Sequence, residues 1–236
     1  MAKKRLDGRK NDEMRKITAK VGIIPKAKGS AFFQIGKTAA FAAVYGPRDL
    51  YPKFLQDPTK AVLRCNYSMM PFSGVGERIR PGPNRRAREI GMVIEKALLP
   101  AIDLSEFPGA VVDVFIEIPQ ADAGTRCAGI CAAAMALVDA GFKMRDIPVA
   151  VAAGVVNNEV VVDLCYDEEA SEGAVDLPIG ILPRTKEITL LQMDGKIKKE
   201  KLMEALEVGK QVSEKLHKIL RGALKERYEG NAEGAP

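Results

Sequence analysis

The chain has 236 residues, 47% of them hydrophobic and 28% charged, the proportions of a globular protein with a sizeable core, which exclude a disordered or fibrous chain. A net charge of +5 suits a polyanionic partner and equally suits plain solubility, so local clustering has to decide. A single histidine, His217, excludes histidine triads and His-rich metal sites, and the four cysteines, lacking a second Cys or His pair at zinc spacing, read as reduced thiols.

The basic start Met1-Ala2-Lys3-Lys4-Arg5 leads into Leu6-Asp7-Gly8-Arg9 with no apolar segment behind it, and no later stretch is long and apolar enough to span a bilayer. A cytoplasmic location and no membrane partner are expected. Three short strands follow, Ile17 to Ile23, Ser30 to Ile35 and Ala39 to Tyr45, punctuated by Gly and Lys as in an antiparallel meander. Tyr45-Gly46-Pro47-Arg48 should end the sheet edge, and Asp49 to Lys60, with two prolines and several basic and aromatic residues, should be an exposed loop. Ala61 to Met70 reads as another strand.

Asn84 is placed to cap a helix running to about Leu99, with Ile90, Val93, Ile94, Ala97 and Leu98 on one face. Val112, Val114, Ile116 and Ile118 alternate with Asp113, Phe115 and Glu117 as in a half-buried strand. It delivers the chain to Gln120-Ala121-Asp122-Ala123-Gly124-Thr125-Arg126. Cys127 to Ala140 is small, apolar and almost uncharged, which suits a helix buried on most sides, with Gly141 as its C-terminal stop. Val149 to Val156 and Val160 to Leu164 form a hairpin through Asn157-Asn158. Asp167 to Asp176 reads as an acidic loop, Ile188 to Gln192 as a short strand, and Lys198 to about Tyr228 as a long amphipathic helix, with a frayed tail over 229–236.

This order predicts an α/β (α+β) fold of mixed sheets packed with helices, not a doubly wound nucleotide fold, and neither G-x-G-x-x-G nor G-x-x-x-x-G-K-[ST] occurs. No Pro/Gly/Ser linker divides the chain. A single domain over 1–236 is expected, with a first half to residue 150 and a second over 151–228.

Three constellations carry chemistry. Gly124-Thr125-Arg126 stands between a strand and a buried helix, where unpaired N–H groups and the positive end of the helix dipole suit an oxyanion; alternatively Thr125 simply caps the helix and Arg126 pairs with an acid. Arg78, Arg80, Arg85, Arg86 and Arg88 surround a rigid turn and a helix start, where cations oppose the dipole, so they are either a polyphosphate site or a solvated basic face. Tyr67 and Phe72 are near enough in sequence to give a base-stacking surface, although aromatics in strands are more often core. The third is the acidic segment ending at Asp176, suited to hold Mg²⁺ or Mn²⁺ or to donate a proton, or merely solvated.

In their joint order, Arg5-Leu6-Asp7-Gly8-Arg9, Tyr45-Gly46-Pro47-Arg48, Pro81-Gly82-Pro83-Asn84-Arg85-Arg86, Asp113 to Glu117, Gln120 to Arg126 and Leu190-Leu191-Gln192-Met193-Asp194-Gly195 resemble the RNase PH family, and within it the catalytic ring subunits of archaeal exosomes. The resemblance implies an RNase PH-like fold and a phosphorolytic 3′→5′ exoribonuclease, releasing nucleoside diphosphates from single-stranded RNA and able to add tails in reverse. It implies that Gly124, Thr125 and Arg126 bind inorganic phosphate, that Arg85 and Arg86 hold RNA, that Tyr67 stacks on a base, and that Asp176 is catalytic and binds a divalent metal. The loop from Arg48 to Lys60 matches one lining a central pore. The implied partners are a homologous non-catalytic RNase PH-like subunit, alternating with this one in a hexameric ring, and RNA-binding cap subunits.

One departure is serious. The family pattern has two aspartates six positions apart, and the first falls on Ala170, which neither binds metal nor carries a proton. The sequence therefore predicts impaired activity restored by Ala170→Asp, unless Glu169 or Glu172 redirects its carboxylate. Ser73-Gly74-Val75-Gly76-Glu77 also looks one residue longer than the family's loop. The competing readings are a non-catalytic RNA-binding ring member and a tRNA-trimming RNase PH homohexamer.

Overall fold

A computed structural model describes residues 5–232 except Pro81 and Pro83. Most of the basic start, two prolines of the arginine-rich turn and the last four residues of the expected tail lie outside the described residues.

Nine strands form two sheets. In the first, β1 (Ile17–Val21), β2 (Gly29–Ile35), β3 (Thr38–Asp49), β4 (Val62–Met69) and β5 (Ala110–Gln120) run in the order β1-β2-β3-β5-β4, with only β4 and β5 parallel. In the second, β6 (Val149–Val156), β7 (Glu159–Val162), β8 (Val175–Leu182) and β9 (Glu187–Leu191) run antiparallel in the order β7-β6-β8-β9. The helices are α1 (Arg85–Leu98), α2 (Thr125–Asp139), the one-turn α3 (Tyr166–Glu169) and α4 (Lys199–Ala232), with a 3₁₀ turn at Lys53–Leu55 in the basic loop.

Helix α2 packs against both sheets, and its residues explain why it can. Ala128, Gly129, Ala132, Ala133, Ala134 and Ala136 keep it thin on every side, while Ile130, Met135 and Leu137 are fully buried. Each such large side chain contributes roughly 1.5–3 kcal/mol of burial free energy. At Gly129, an added Cβ would come within 3.2 Å of Ile94 and 3.3 Å of Ile116, so bare backbone lets α2 lie close to α1 and β5. Gly141, at φ +82°, ends the helix in the left-handed conformation expected of it. Helix α1 begins as read, the side chain of Asn84 accepting the Ala87 N–H at 2.8 Å.

Three expectations are corrected. The sheet does not end at Tyr45-Gly46-Pro47-Arg48: β3 continues to Asp49 in the interior of the sheet, and a register shift between Tyr45 and Arg48 absorbs Pro47, which has no N–H to give. The acidic loop is neither continuous nor wholly loop. It contains α3, and its last two residues open β8, an interior strand hidden by the breaker residues Pro178 and Gly180. A Cβ at Gly180 would stand 2.8 Å from the Leu190 side chain, so this glycine serves close strand packing. Finally, α4 runs on through 229–232, where a frayed tail was expected. The Asn157-Asn158 hairpin holds, with φ of +51° and +64°.

Candidate active site

The turn before α2 is pinned from beneath. The buried Thr38 hydroxyl donates to the Ala123 carbonyl at 2.6 Å and accepts the Asp122 N–H at 2.9 Å. Ala123 and Gly124 both adopt positive φ, +58° and +66°, and Gly124 is the N-cap of α2 without any side-chain cap. Thr125 therefore does not cap the helix, and the orphan N–H groups of its first turn remain available. Arg126 forms no ion pair among the described residues, and its buried Nε has no hydrogen-bond partner. A buried donor left unpaired beside a bare helix N-terminus is suited to hold an anion.

These residues line a cavity of about 320 Å³. Its lining includes the cations Arg86 and Arg126, the backbone of Gly124 and Thr125, and the acids Asp176, Glu169 and Asp194, with Tyr166. The three segments singled out in the sequence thus meet in one place. Arg85 does not line the cavity and is exposed on the first turn of α1.

Tyr67 is corrected. Its ring is 5% exposed within the core, and its hydroxyl has no hydrogen-bond partner. Burial raises its pKa, against smaller opposing effects of Thr125, Arg86 and Arg126. Tyr67 also lines a small cavity with Met69, Ile79, Asn84, Arg86 and Ala87. Phe72, on the same segment, is 74% exposed beside a neighbouring cavity that shares Gly74, Val75, Ala121 and Tyr166 with the first.

Among the acids, burial pushes the Asp176 carboxyl up to about 7, the charges of Glu169 and Asp194 adding to the effect and Arg126 opposing it. A carboxyl poised there is protonated and ionised in comparable amounts near neutral pH. Asp176 also bridges Asp194 through paired backbone bonds of 3.1 and 2.9 Å, which brings Asp194 to the site. Ala170 is the exposed C-cap of α3 and does not line the cavity.

The residues that hold the site together were missed by the sequence reading. Arg15 donates to both oxygens of Asp163, at 2.9 and 2.7 Å, and to the Asp122 carbonyl at 2.5 Å. The Asp122 carboxylate accepts the Tyr166 N–H at 3.1 Å, so the turn before α2 and the start of α3 are tied to each other. Arg5 grips Glu168 through both oxygens, at 2.8 and 2.7 Å, with both side chains almost wholly buried. Only the Arg5-Leu6-Asp7-Gly8-Arg9 motif hinted at this clamp.

Among the described residues, no three His, Cys, Asp or Glu side chains come together as a metal cage. Asp176 and Asp194 nonetheless suit a hard divalent cation of the kind held by one or two carboxylates together with substrate phosphates and water.

The cavity thus brings together a bare helix N-terminus, two guanidinium groups and three carboxylates. The chain belongs to the RNase PH family. It matches the 3′ exoribonuclease family, domain 1, over residues 13–143 and domain 2 of the same family over residues 146–212. It is 52% identical over 225 residues to the exosome complex component Rrp41 of Thermococcus gammatolerans, covering 95% of this chain and 90% of that protein. To the Rrp41 of Methanopyrus kandleri it is 48% identical over 227 residues, covering 96% and 94%. Among solved structures, rice Rrp46 superposes with a TM-score of 0.82 at 24% identity, over 94% of this chain and all 100% of that one. A chain of the Archaeoglobus fulgidus exosome with RNA bound to the active site gives 0.77 at 26% identity, over 91% and 92%.

Proposed function

We propose that this chain is the phosphorolytic 3′→5′ exoribonuclease subunit of an archaeal exosome ring. The observation that carries the reading is the convergence of Arg126, Arg86, the N-terminus of α2 and Asp176 on one cavity. Rrp41 relatives at about half identity over nearly the whole chain support the same assembly.

In this reading inorganic phosphate sits on Gly124, Thr125 and Arg126. One of its oxygens attacks the last phosphodiester phosphorus, the bond from that phosphorus to the penultimate 3′ oxygen breaks, and the proton of the hydrogen phosphate ends on the departing oxygen. The products are a nucleoside diphosphate and an RNA one nucleotide shorter, and the reverse reaction adds tails. Arg86 and Arg126 stabilise the charge on the transferring group, and Asp176 is the nearby acid–base carboxyl. A divalent cation held by Asp176 and Asp194 would supply further charge neutralisation at the phosphates. Arg85, outside the cavity, extends the cationic track for the RNA backbone. Backbone contacts and stacking on the exposed Phe72 read no base code, so sequence preference should be weak.

The proposed partners are single-stranded RNA, a homologous non-catalytic subunit alternating in a hexameric ring, and RNA-binding cap subunits. The ring assembled with its homologous partner and given poly(A), Mg²⁺ and phosphate should release nucleoside diphosphates. Tight RNA binding with no product in any variant would favour a purely structural subunit.

A further inference from the structure

The family pattern expects an aspartate at position 170, and the structure turns attention to the residue before it. Ala170 ends α3 with its N–H bonded to the Tyr166 carbonyl at 2.9 Å and its side chain outside the cavity. Glu169 lines the cavity with Asp176, Asp194 and Arg126.

The placement of Glu169 is fixed by its neighbours. Glu168 is 2% exposed, held by Arg5 through both oxygens, and its carboxylate also accepts the Cys165 N–H at 3.1 Å. The Tyr166 N–H is anchored to Asp122, the residue two before Gly124. Successive side chains on a helix diverge by about 100°. Burying Glu168 against Arg5 therefore turns Glu169 out of the core, on the side where Asp176 lies.

We propose that Glu169 supplies the second carboxylate of the reaction site, the part that the family pattern gives to an aspartate, so that the chain is competent as it stands. The acids are then seven positions apart rather than six, with Ala170 the added residue on the outside of the turn and the longer glutamate reaching in. This inference rests on the proposed phosphorolysis and names one of its groups.

The test uses the ring assembled with its homologous partner, poly(A) and phosphate, and compares four forms of the chain. Glu169→Gln should lower kcat by about 100-fold or more while leaving KM for RNA within about twofold, because the loss falls on the chemical step. Glu169→Asp should retain most of the activity that Glu169→Gln loses. The double variant Glu169→Ala with Ala170→Asp should stay as slow as Glu169→Gln, since the side chain at 170 does not line the cavity. An unchanged kcat in Glu169→Gln, or full recovery in the double variant, would overturn the inference while leaving phosphorolysis standing. A ring in which the unaltered chain releases no nucleoside diphosphate would overturn the proposed function and this inference together.

Discussion

In the proposed function, Arg126 is the residue on which phosphate binding depends. Its unpaired buried Nε stands beside a helix N-terminus that no side chain caps. Hydrogen bonds to charged groups are worth about 1.5–3 kcal/mol, so Arg126→Ala should raise KM for phosphate by about 10- to 100-fold, read from rates at increasing phosphate. The Asp176 carboxyl gives a second prediction. Its folded pKa of about 7 lies above the ordinary 3.8, so the folded state favours the neutral acid. Stability from this group is fully present below the unfolded value and is lost as pH rises toward and through the folded one. Asp176→Asn escapes that loss, and its melting temperature relative to the unaltered chain should climb between about pH 4 and pH 7 and then level off. A gap independent of pH would contradict the burial argument. At this scale Gly124, Thr125, Arg126, Arg86 and Asp176 were legible because each belongs to a short motif with its own chemistry. The burial of Tyr67 was weighed and not settled, because alternation along β4 does not say which face α1 and α2 will cover. Counting back from Asp176 picked out Ala170 and left Glu169 and Glu172 as alternatives, between which only the folded α3 decides by placing Glu169 on the cavity.

Among the elements, α3 has just one turn and cannot hold itself together. Arg5 and Glu168, 163 positions apart in sequence, hold it with side chains 3% and 2% exposed. Removing one partner of a buried ion pair leaves a charge stranded, so Arg5→Ala should cost about 3–5 kcal/mol in urea unfolding. It should also slow turnover by displacing Glu169. A loss under about 1 kcal/mol would mean that the clamp contributes little, as most exposed pairs do. Sequence reading located α1, α2, α4, the hairpin of β6 and β7 and the opening meander because each has a period or a turn signal. It missed β8, where Pro178 and Gly180 read as breakers although the strand is paired on both sides. It also missed the clamp, since arginine–carboxylate pairing over so long a separation leaves no local trace.

The whole molecule is two sheets closed over one small-residue helix, and the cavity forms where the N-terminus of that helix meets the leading ends of α1 and β8. The main core runs from Ala31 to Leu224, while Val175, Leu177, Ile179 and Ile181 of β8 pack in a second cluster, so the cationic and acidic residues are tied together through the contacts of α2 with both sheets and the bonds of Arg15 and Asp122. That arrangement was foreseeable as a class, mixed sheets with helices, from the order of elements; the pairing order of the strands was not. In the proposed assembly the chain joins a homologous partner, and mass measurement of the mixture should show an alternating hexamer. A stable hexamer of this chain alone would point to the tRNA-trimming kind of enzyme. Central to the proposed function is phosphate, bound at the N-terminus of α2, as the attacking group. The most direct measurement identifies the nucleotides released from RNA by the assembled ring with and without phosphate. Nucleoside diphosphates, formed only when phosphate is present and greatly diminished in Arg126→Ala, are the predicted result. Nucleoside monophosphates, or release that persists when phosphate is withheld, would contradict it.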